Sequence, residues 1–520
     1  MKKRLFSLTS LALAAALMLT ACGGGAGTAG TGQQAGDSAA KGGAKTLTVA
    51  QAADAVTLDP QKTNDTASAN PMQQIYNTLI DLTPDMQLKP ALAEEWKQVD
   101  DYTWEFKLRK GVKFHNGEEL KASDVKFTYD RLLDPKTSAT PAFLLASVKE
   151  VKVVDDYTVQ LVTKEKFAPI LYNLTHIGTA ILNEKAVKET GDNYGVNPVG
   201  TGPFKFVKWD KSSQIVLEQN KDYFEGPAKL DAITFRIIPE AATSVAELRT
   251  GGVDVVLDLP PQQVKQFDNS DKVTVDKAPS FALKYLGFDQ RQKPFDNVKV
   301  RQAVNYAIDK EALVKGAYQG IANVSTGPLA PGINGFNENL KGYEYNPEKA
   351  KELLKEAGYP NGFKTTLYLS DKEIDSKLGT IIQSQLKEVG INVNLQVIEW
   401  GAFLAETAKG LPMYLLSWTT VTGDADNGMY ALFHSKNQGQ AGNRTFYANE
   451  EVDKLLDTGR TESDPATRVQ AYQKAQEIIY NDAVWAFLTT GQSIVARNKR
   501  VHGFVNMPTQ NYKFYPVSVE

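Results

Sequence analysis

The chain has 520 residues and a single cysteine, Cys22, in the stretch "LTACGGG". A lone thiol forms no internal disulfide, so its chemistry is that of one nucleophile open to one modification. The four histidines, His115, His176, His434 and His502, fall outside metal-ligand spacing of one another, and no HExxH, CxxC or GxSxG pattern occurs. Neither a metal site nor a cofactor is expected. Gly25, Gly27 and Gly30 spell a formal GxGxxG, but no strand reading precedes it and no helix reading follows, so it fails the context a dinucleotide site needs. Gly200-Thr-Gly202-Pro203 lacks the Lys-Ser/Thr of a phosphate loop, and Pro203 removes a backbone donor. Carboxylates are plentiful, but spacing alone does not set two of them across a cleft. Nothing argues for a catalytic step, and the expectation is a protein that is not an enzyme.

What surrounds Cys22 explains it. Met1-Lys-Lys-Arg4 is a basic run, an apolar segment from Leu11 to Leu19 follows, and Thr20 and Ala21 are small. That order describes a secretory signal peptide over residues 1–21, with an apolar core too short to span a bilayer. Leu19-Thr-Ala-Cys22 also resembles a bacterial lipobox, in which the cysteine is lipidated and becomes the mature N-terminus. Stable anchoring takes about two acyl chains, which a diacylglyceryl thioether supplies. Residues 22–45, rich in Gly, Ala, Ser, Thr and Gln, then read as a lipidated flexible tether. The protein is expected on the outer side of the cytoplasmic membrane, attached through Cys22.

The roughly 475 residues beyond the tether exceed one ordinary domain and predict two or three. Hydrophobic content of 42% and charged content of 23% suit a globular protein, and a net charge of −3 gives no basic face for nucleic acid. Among the elements that must position any site, "TLTVAQ" reads as a strand and "NPMQQIYNTLIDL" has helical spacing at Met72, Ile75, Tyr76 and Leu79. Tyr102, Trp104, Phe106 and Leu108 alternate as a half-buried strand before a turn at Gly111. "DDYTVQLVT" echoes it, so the shared Asp-Asp-Tyr-Thr reads as a reused hairpin turn. Ser123 is the expected cap of the next helix, with Asp124 favouring its positive end. Later, Asn346-Pro347 and Asp464-Pro465 each place a cap and a first-turn proline. "FKTTLYLS", "DSKLGTIIQSQLKEVG" and "INVNLQVIEW" form a strand–helix–strand unit. Gly200 and Gly202 are expected in conformations that side chains forbid, and Arg301 as an ion-paired scaffold residue.

Six stretches occur in order: "YTWEFKLRKGVKFHNGEELKASDVKFTYDRLLDP", "PVGTGPFKFVKWDKSSQIVLEQNKDYF", "VRQAVNYAIDKEALVKGAYQG", "NPEKAKELLKEAGYP", "QLKEVGINVNLQVIEW" and "YANEEVDKLL". Together they resemble the family 5 extracellular solute-binding proteins, over nearly all of 46–520. The resemblance implies an α/β, two-lobed periplasmic-binding-protein fold with a hinge and an additional domain in one lobe. It implies lobe I from 46–82, 198–290 and 491–520, domain II at 83–197 and lobe III at 291–490. It also implies a monomer that holds a short peptide between the lobes and delivers it to the permease and ATPase subunits of an ABC transporter. A nickel chelate or an opine-like solute is the alternative within the family. A lipid-anchored hydrolase, or a sensory or adhesive lipoprotein, is the alternative outside it.

In peptide-binding members the ligand is met after a strand-end tryptophan, here in "LLSWTTVTGDADNGMYALFHS". An aspartate three residues after that tryptophan commonly pairs with the ligand ammonium, and this chain has Val421 there. "WTTVTGDADN" is closer to the glutathione-binding branch. The resemblance therefore implies cleft walls from Trp400 and Trp418, an acid from Asp424 or Asp426, and Arg444 forking onto a ligand carboxylate. For Cys22 the expectation is direct: Cys22→Ser abolishes membrane attachment. Cell fractionation and radiolabelled palmitate check it, and a labelled or still membrane-bound variant overturns it.

Overall fold

The computed structural model describes residues 45–439 and 442–520; in the helix Trp400–Lys409 the side chains of Trp400 and Gly401 are outside the description. The signal peptide, Cys22 and the tether lie outside the described residues.

Eleven strands make one mixed sheet. From one edge the order is Ile391–Ile398, Phe363–Ser370, Met413–Thr419, Val273–Phe288, Trp485–Asn498, Val255–Val256, Thr46–Gln51, Ala232–Ile237, Gln214–Gln219 and Phe204–Asp210, with Asn323–Val324 beside Trp485–Asn498. Two strands are far longer than the rest, and their side chains divide among several cores. At one end Val273, Ile494 and Ala496 pack with Ala50, Val245 and Leu248. At the other, Leu283, Tyr285, Trp485 and Phe487 face one way, and Leu286, Phe288, Ala486 and Leu488 the other. This is the period-2 alternation of a strand buried on both faces. Tyr285 stacks on Trp485 with ring centroids 3.5 Å apart and planes within 5°. The α/β architecture is two-lobed, and this strand pair packs into three of its cores. Its register breaks between Pro279 and Leu283, where Gly491 alone faces three residues.

A separate antiparallel sheet, ordered Ala93–Asp100, Thr103–Leu108, Thr158–Thr163, Val148–Asp155, packs under helix Ala122–Leu133. The reused turn is present in both hairpins: Asp100 accepts from Tyr102 N–H and Asp155 from Tyr157 N–H, each at 2.8 Å. Helix Pro347–Glu356 starts on Asn346, which accepts from Lys349 N–H at 2.9 Å, and Pro465–Asn481 starts on Asp464, which accepts from Thr467 N–H at 2.8 Å. Phe363–Ser370 and Ile391–Ile398 pair in parallel across helix Glu373–Glu388, as the strand–helix–strand reading requires.

Four local expectations differ. The first helix is Thr66–Ile75, capped by Asp65, and Ile80–Leu82 is a strand. Met72, Ile75 and Tyr76 enter the first-lobe core while Leu79 enters the core of the four-stranded unit, so one spacing serves two cores. The residue flanking helix Ala122–Leu133 is Lys121, whose N–H donates to Asp124 at 3.0 Å, so Ser123 is inside the helix. Gly200 and Gly202 are required by close approach: a Cβ on Gly200 would lie 2.0 Å from Ile75 O, and one on Gly202 2.4 Å from Gln74 O. Arg301 is a buried scaffold residue but spends its guanidinium on carbonyls, Phe295 O at 2.8 Å and Asp482 O at 2.7 Å.

Lys310 opens helix Lys310–Tyr318 and is 5% exposed. Its Nζ has no hydrogen-bond partner and lies 5.9 Å from the Tyr343 ring centroid. Burial alone pushes its pKa down to about 8 from the ordinary 10.5. Between those values the unfolded chain holds a proton that the native state has released, so stability rises with pH across that window. Lys310→Met is expected to stabilise the protein, by on the order of 3 kcal/mol below pH 8. Denaturant unfolding of both proteins from pH 7 to 10 should show the difference shrinking as pH rises; a constant difference refutes the assignment.

Candidate functional site

Helix Thr66–Ile75 is the element around which a cavity of about 220 Å³ forms. The walls are residues 63–66 and the helix side chains Ala69 and Met72, then His176 and Ile177, then 509–511, all packed with or beside the first-lobe core, and, from the other lobe, Thr419 and Val421. Thr419 pairs with Ala282 at the end of strand Met413–Thr419, so the cavity meets the second lobe where that strand stops. Other segments far apart in the chain also meet: Ala168 N–H donates to Arg460 O at 2.9 Å, Arg460 lies 4.9 Å over the Phe167 ring, and Met86 joins the core that holds Phe281.

The polar groups of the cavity have unequal partners. Asp65 caps the helix, accepting from Ser68 N–H at 2.8 Å through Oδ1 and from the Thr63 hydroxyl through Oδ2. His176 is 7% exposed, and its Nδ1 accepts from Gly178 N–H at 3.0 Å. An accepting Nδ1 leaves the ring proton on Nε2. Burial holds its pKa down at about 4, so the imidazole is neutral near pH 7. Thr509 Oγ1 is buried with no hydrogen-bond partner.

Four of the five residues expected at the site have described side chains, and each has partners within the protein. Trp418 is half-buried against the second-lobe core, and its indole N–H donates to Asn427 O at 3.1 Å. Asp424 is 1% exposed; it caps helix Ala425–Phe433 and receives both terminal nitrogens of Arg468, at 2.9 and 3.2 Å, and Asn334 Nδ2 at 3.0 Å. Asp426 is buried too, with Tyr472 OH at 3.3 Å and Arg460 Nε at 3.5 Å. Burial raises its carboxyl pKa, against the pull of Arg460. Arg444 is buried and donates to Leu404 O at 2.5 Å and to the Thr407 hydroxyl. No carboxylate reaches Arg444 among the described residues. The side chain of Trp400 lies outside the description. None of Trp418, Asp424, Asp426 and Arg444 lines the cavity; Thr419 and Val421, their near neighbours in sequence, do.

Sequence reading passed over Asp65, His176 and Thr509. Asp65-Thr66 was available as a cap signal, but Asn70-Pro71 reads equally well as a cap and first-turn proline. His176 and Thr509 sit on segments without periodicity. A second cavity, of about 270 Å³, lies toward the other end of the same helix, around Gln73, Tyr76 and Tyr223, and shares Ile177 with the first. Its walls include no residue of strand Met413–Thr419. Among the described residues no cluster of His, Cys, Asp and Glu is placed to hold a metal ion, and no helix is long and apolar enough to cross a membrane.

Residues 87–440 match the bacterial extracellular solute-binding proteins, family 5 Middle. The glutathione-binding protein GsiB of Escherichia coli O1:K1 is 35% identical over 481 residues, covering 91% of this chain and 94% of its own. Among solved structures, HbpA2 from Haemophilus parasuis superposes with a TM-score of 0.85 at 30% identity, over 91% of this chain and all of its own. DppA from Helicobacter pylori, an ABC transporter-associated periplasmic binding protein in complex with the peptide STSA, gives 0.78 at 33% identity, over 91% and 98%. With a family match over residues 87–440 and a relative 35% identical over 91% of this chain's length, the chain belongs to the family 5 bacterial extracellular solute-binding proteins.

Proposed function

We propose that this chain is an extracytoplasmic receptor that encloses a short peptide, with glutathione the first candidate, and hands it to the permease of an ABC transporter. As a member of its family it is a transport receptor and not an enzyme. The observation that carries the reading is a cavity walled by both lobes, in a chain matching 94% of a glutathione-binding relative and 98% of a peptide-bound one. The lobes would be 46–82, 198–290 and 491–520 on one side and 291–490 on the other, with 83–197 as the added domain. Closure about the strand pair Val273–Phe288 and Trp485–Asn498 would seal the solute in, the hinge motion of periplasmic binding proteins. Cys22 would hold the receptor to the membrane as a lipidated monomer.

Within this proposal Trp400 and Trp418 wall the second-lobe side, and Arg444, which stands outside the cavity and meets a carbonyl and a hydroxyl but no carboxylate among the described residues, takes the carboxylate of a ligand that extends beyond the cavity. The acids at 424 and 426, engaged by Arg468 and Arg460, brace the turn that brings Val421 to the cavity.

Thermal shift and calorimetry on unliganded protein test the reading, with glutathione, short peptides and nickel–histidine as probes. A bound solute at 100 times its dissociation constant adds about 2.7 kcal/mol. Stabilisation by nickel–histidine alone, or chemically altered solute in proportion to protein, overturns it. Arg444→Ala is expected to weaken the best peptide about thirtyfold or more; binding within threefold of wild type removes Arg444 from the site. Asp424→Ala strands a buried Arg468 and is expected to cost about 3–5 kcal/mol of ligand-free stability. Denaturant unfolding without ligand measures it, and a loss below about 1 kcal/mol refutes the brace.

A further inference from the structure

Three observations converge on the junction cavity. First, its one acidic side chain is Asp65: no glutamate, lysine or arginine is among the described residues that line it, and His176 is neutral. Second, Asp65 has no ion pair among the described residues. Its two oxygens each accept one hydrogen bond, from Ser68 N–H and from the Thr63 hydroxyl. A carboxylate has about four acceptor positions, so roughly two are free. Third, two polar groups in the same wall have hydrogen-bonding capacity to spare, and one of them, Thr509 Oγ1, has no partner at all. His176 is more than nine-tenths buried with only its Nδ1 engaged, and Thr509 Oγ1 is buried and unbonded. A buried polar group without a partner costs about 1–3 kcal/mol, and a ligand that satisfies it recovers that loss. The acid that Val421 fails to provide on one lobe is present on the other.

We propose that the solute enters this cavity ammonium-first, with a primary amine on the Asp65 carboxylate and a neighbouring oxygen accepting from His176 Nε2–H. This rests on the reading of the chain as a receptor for a peptide-like solute and names which end of that solute the first lobe holds. The ligand class follows: an unblocked α-amine beside a carbonyl or carboxylate, as at the amino end of a peptide or the γ-glutamyl end of glutathione. A simple anion is disfavoured, since it would face Asp65 with no cation to pair with. The neutral imidazole adds a donor without adding charge, so it serves the ligand's oxygen and leaves the ammonium to Asp65. Thr509 completes the wall as a hydroxyl free to donate or accept.

Two conservative variants separate the ligand role from the structural ones. Asp65→Asn keeps a side-chain oxygen to cap the helix and removes the charge. His176→Asn keeps an acceptor near Gly178 N–H and removes the donor that reaches the cavity; His176→Gln restores a donor at that reach. Calorimetry uses glutathione or dialanine, whichever binds wild type more tightly, and the same compound N-acetylated. Asp65→Asn should weaken the free amine about thirtyfold or more, and acetylation should cost wild type far more than it costs Asp65→Asn. His176→Asn should weaken binding about tenfold, with His176→Gln recovering most of it. If the free amine binds wild type but Asp65→Asn stays within threefold, or acetylation costs both proteins the same, the amine assignment is wrong while the receptor reading stands. If neither compound binds wild type, the peptide reading falls and this proposal with it.

Discussion

Backbone pairing between Val273–Phe288 and Trp485–Asn498 is the constraint on which the rest of the molecule depends. Two strands that each run from one core to another must keep one ladder, although their ends are buried among different residues. The ladder yields at two places: at Pro279, which cannot donate, with Gly491 opposite three residues, and again between Lys284 and Tyr285, where the partner strand carries one extra residue. On either side, the packing is dense enough to keep each end with its own lobe. Tyr285 flat on Trp485 secures one end, and Ile494 and Ala496 among Val245, Leu248 and Val253 secure the other. The irregularities thereby fall within the short stretch Pro279–Tyr285.

The charges near the junction are arranged by the same economy. The second lobe carries two acids in a row in Gly423-Asp-Ala-Asp426, and buries both. Two buried carboxylates this close require cations, and Arg468 and Arg460 come from the helix pair Glu450–Thr461 and Pro465–Asn481 to supply them. Asp424 is served by a two-pronged guanidinium, an amide and a backbone N–H, so its lone pairs are filled. The cavity itself is left with few formal charges. Under the proposed function a solute there would be selected by directional donors and acceptors and by Asp65, in a space that closure would make dry and in which each such contact would gain strength.

Close backbone approach does a second kind of work. Gly200 and Gly202 sit against the carbonyls of Gln74 and Ile75 at the end of the helix whose start forms the cavity, and Gly202 N–H donates to Ile75 O at 2.8 Å. Neither needs a positive φ. Any side chain at 200 or 202 would push on that helix and so on Asp65 at its other end. The long insertion between helix and glycines, which holds the four-stranded unit, is thus tied back at the point where it leaves and re-enters the lobe.

Much of this was present in the order of residues. The alternation in Thr103–Leu108, the caps at Asn346 and Asp464 and the strand–helix–strand unit are local matters, decided by period, side-chain oxygens and proline, and they read correctly from the chain. The fold class and family followed, since six ordered stretches reflect packing that repeats wherever that fold is built. Composition and spacing also argued against a catalytic step. The site was another matter. Asp424 and Arg468 are 44 residues apart, and only the packing of two helices turns an exposed-looking acidic turn into a buried ion pair. Asp65, His176, Val421 and Thr509 come from four segments separated by more than 80 residues each, three of them without periodicity. Their convergence depends on how two lobes meet across a strand pair. That meeting is a long-range hydrophobic and hydrogen-bonding outcome, and no local pattern in the chain encodes it.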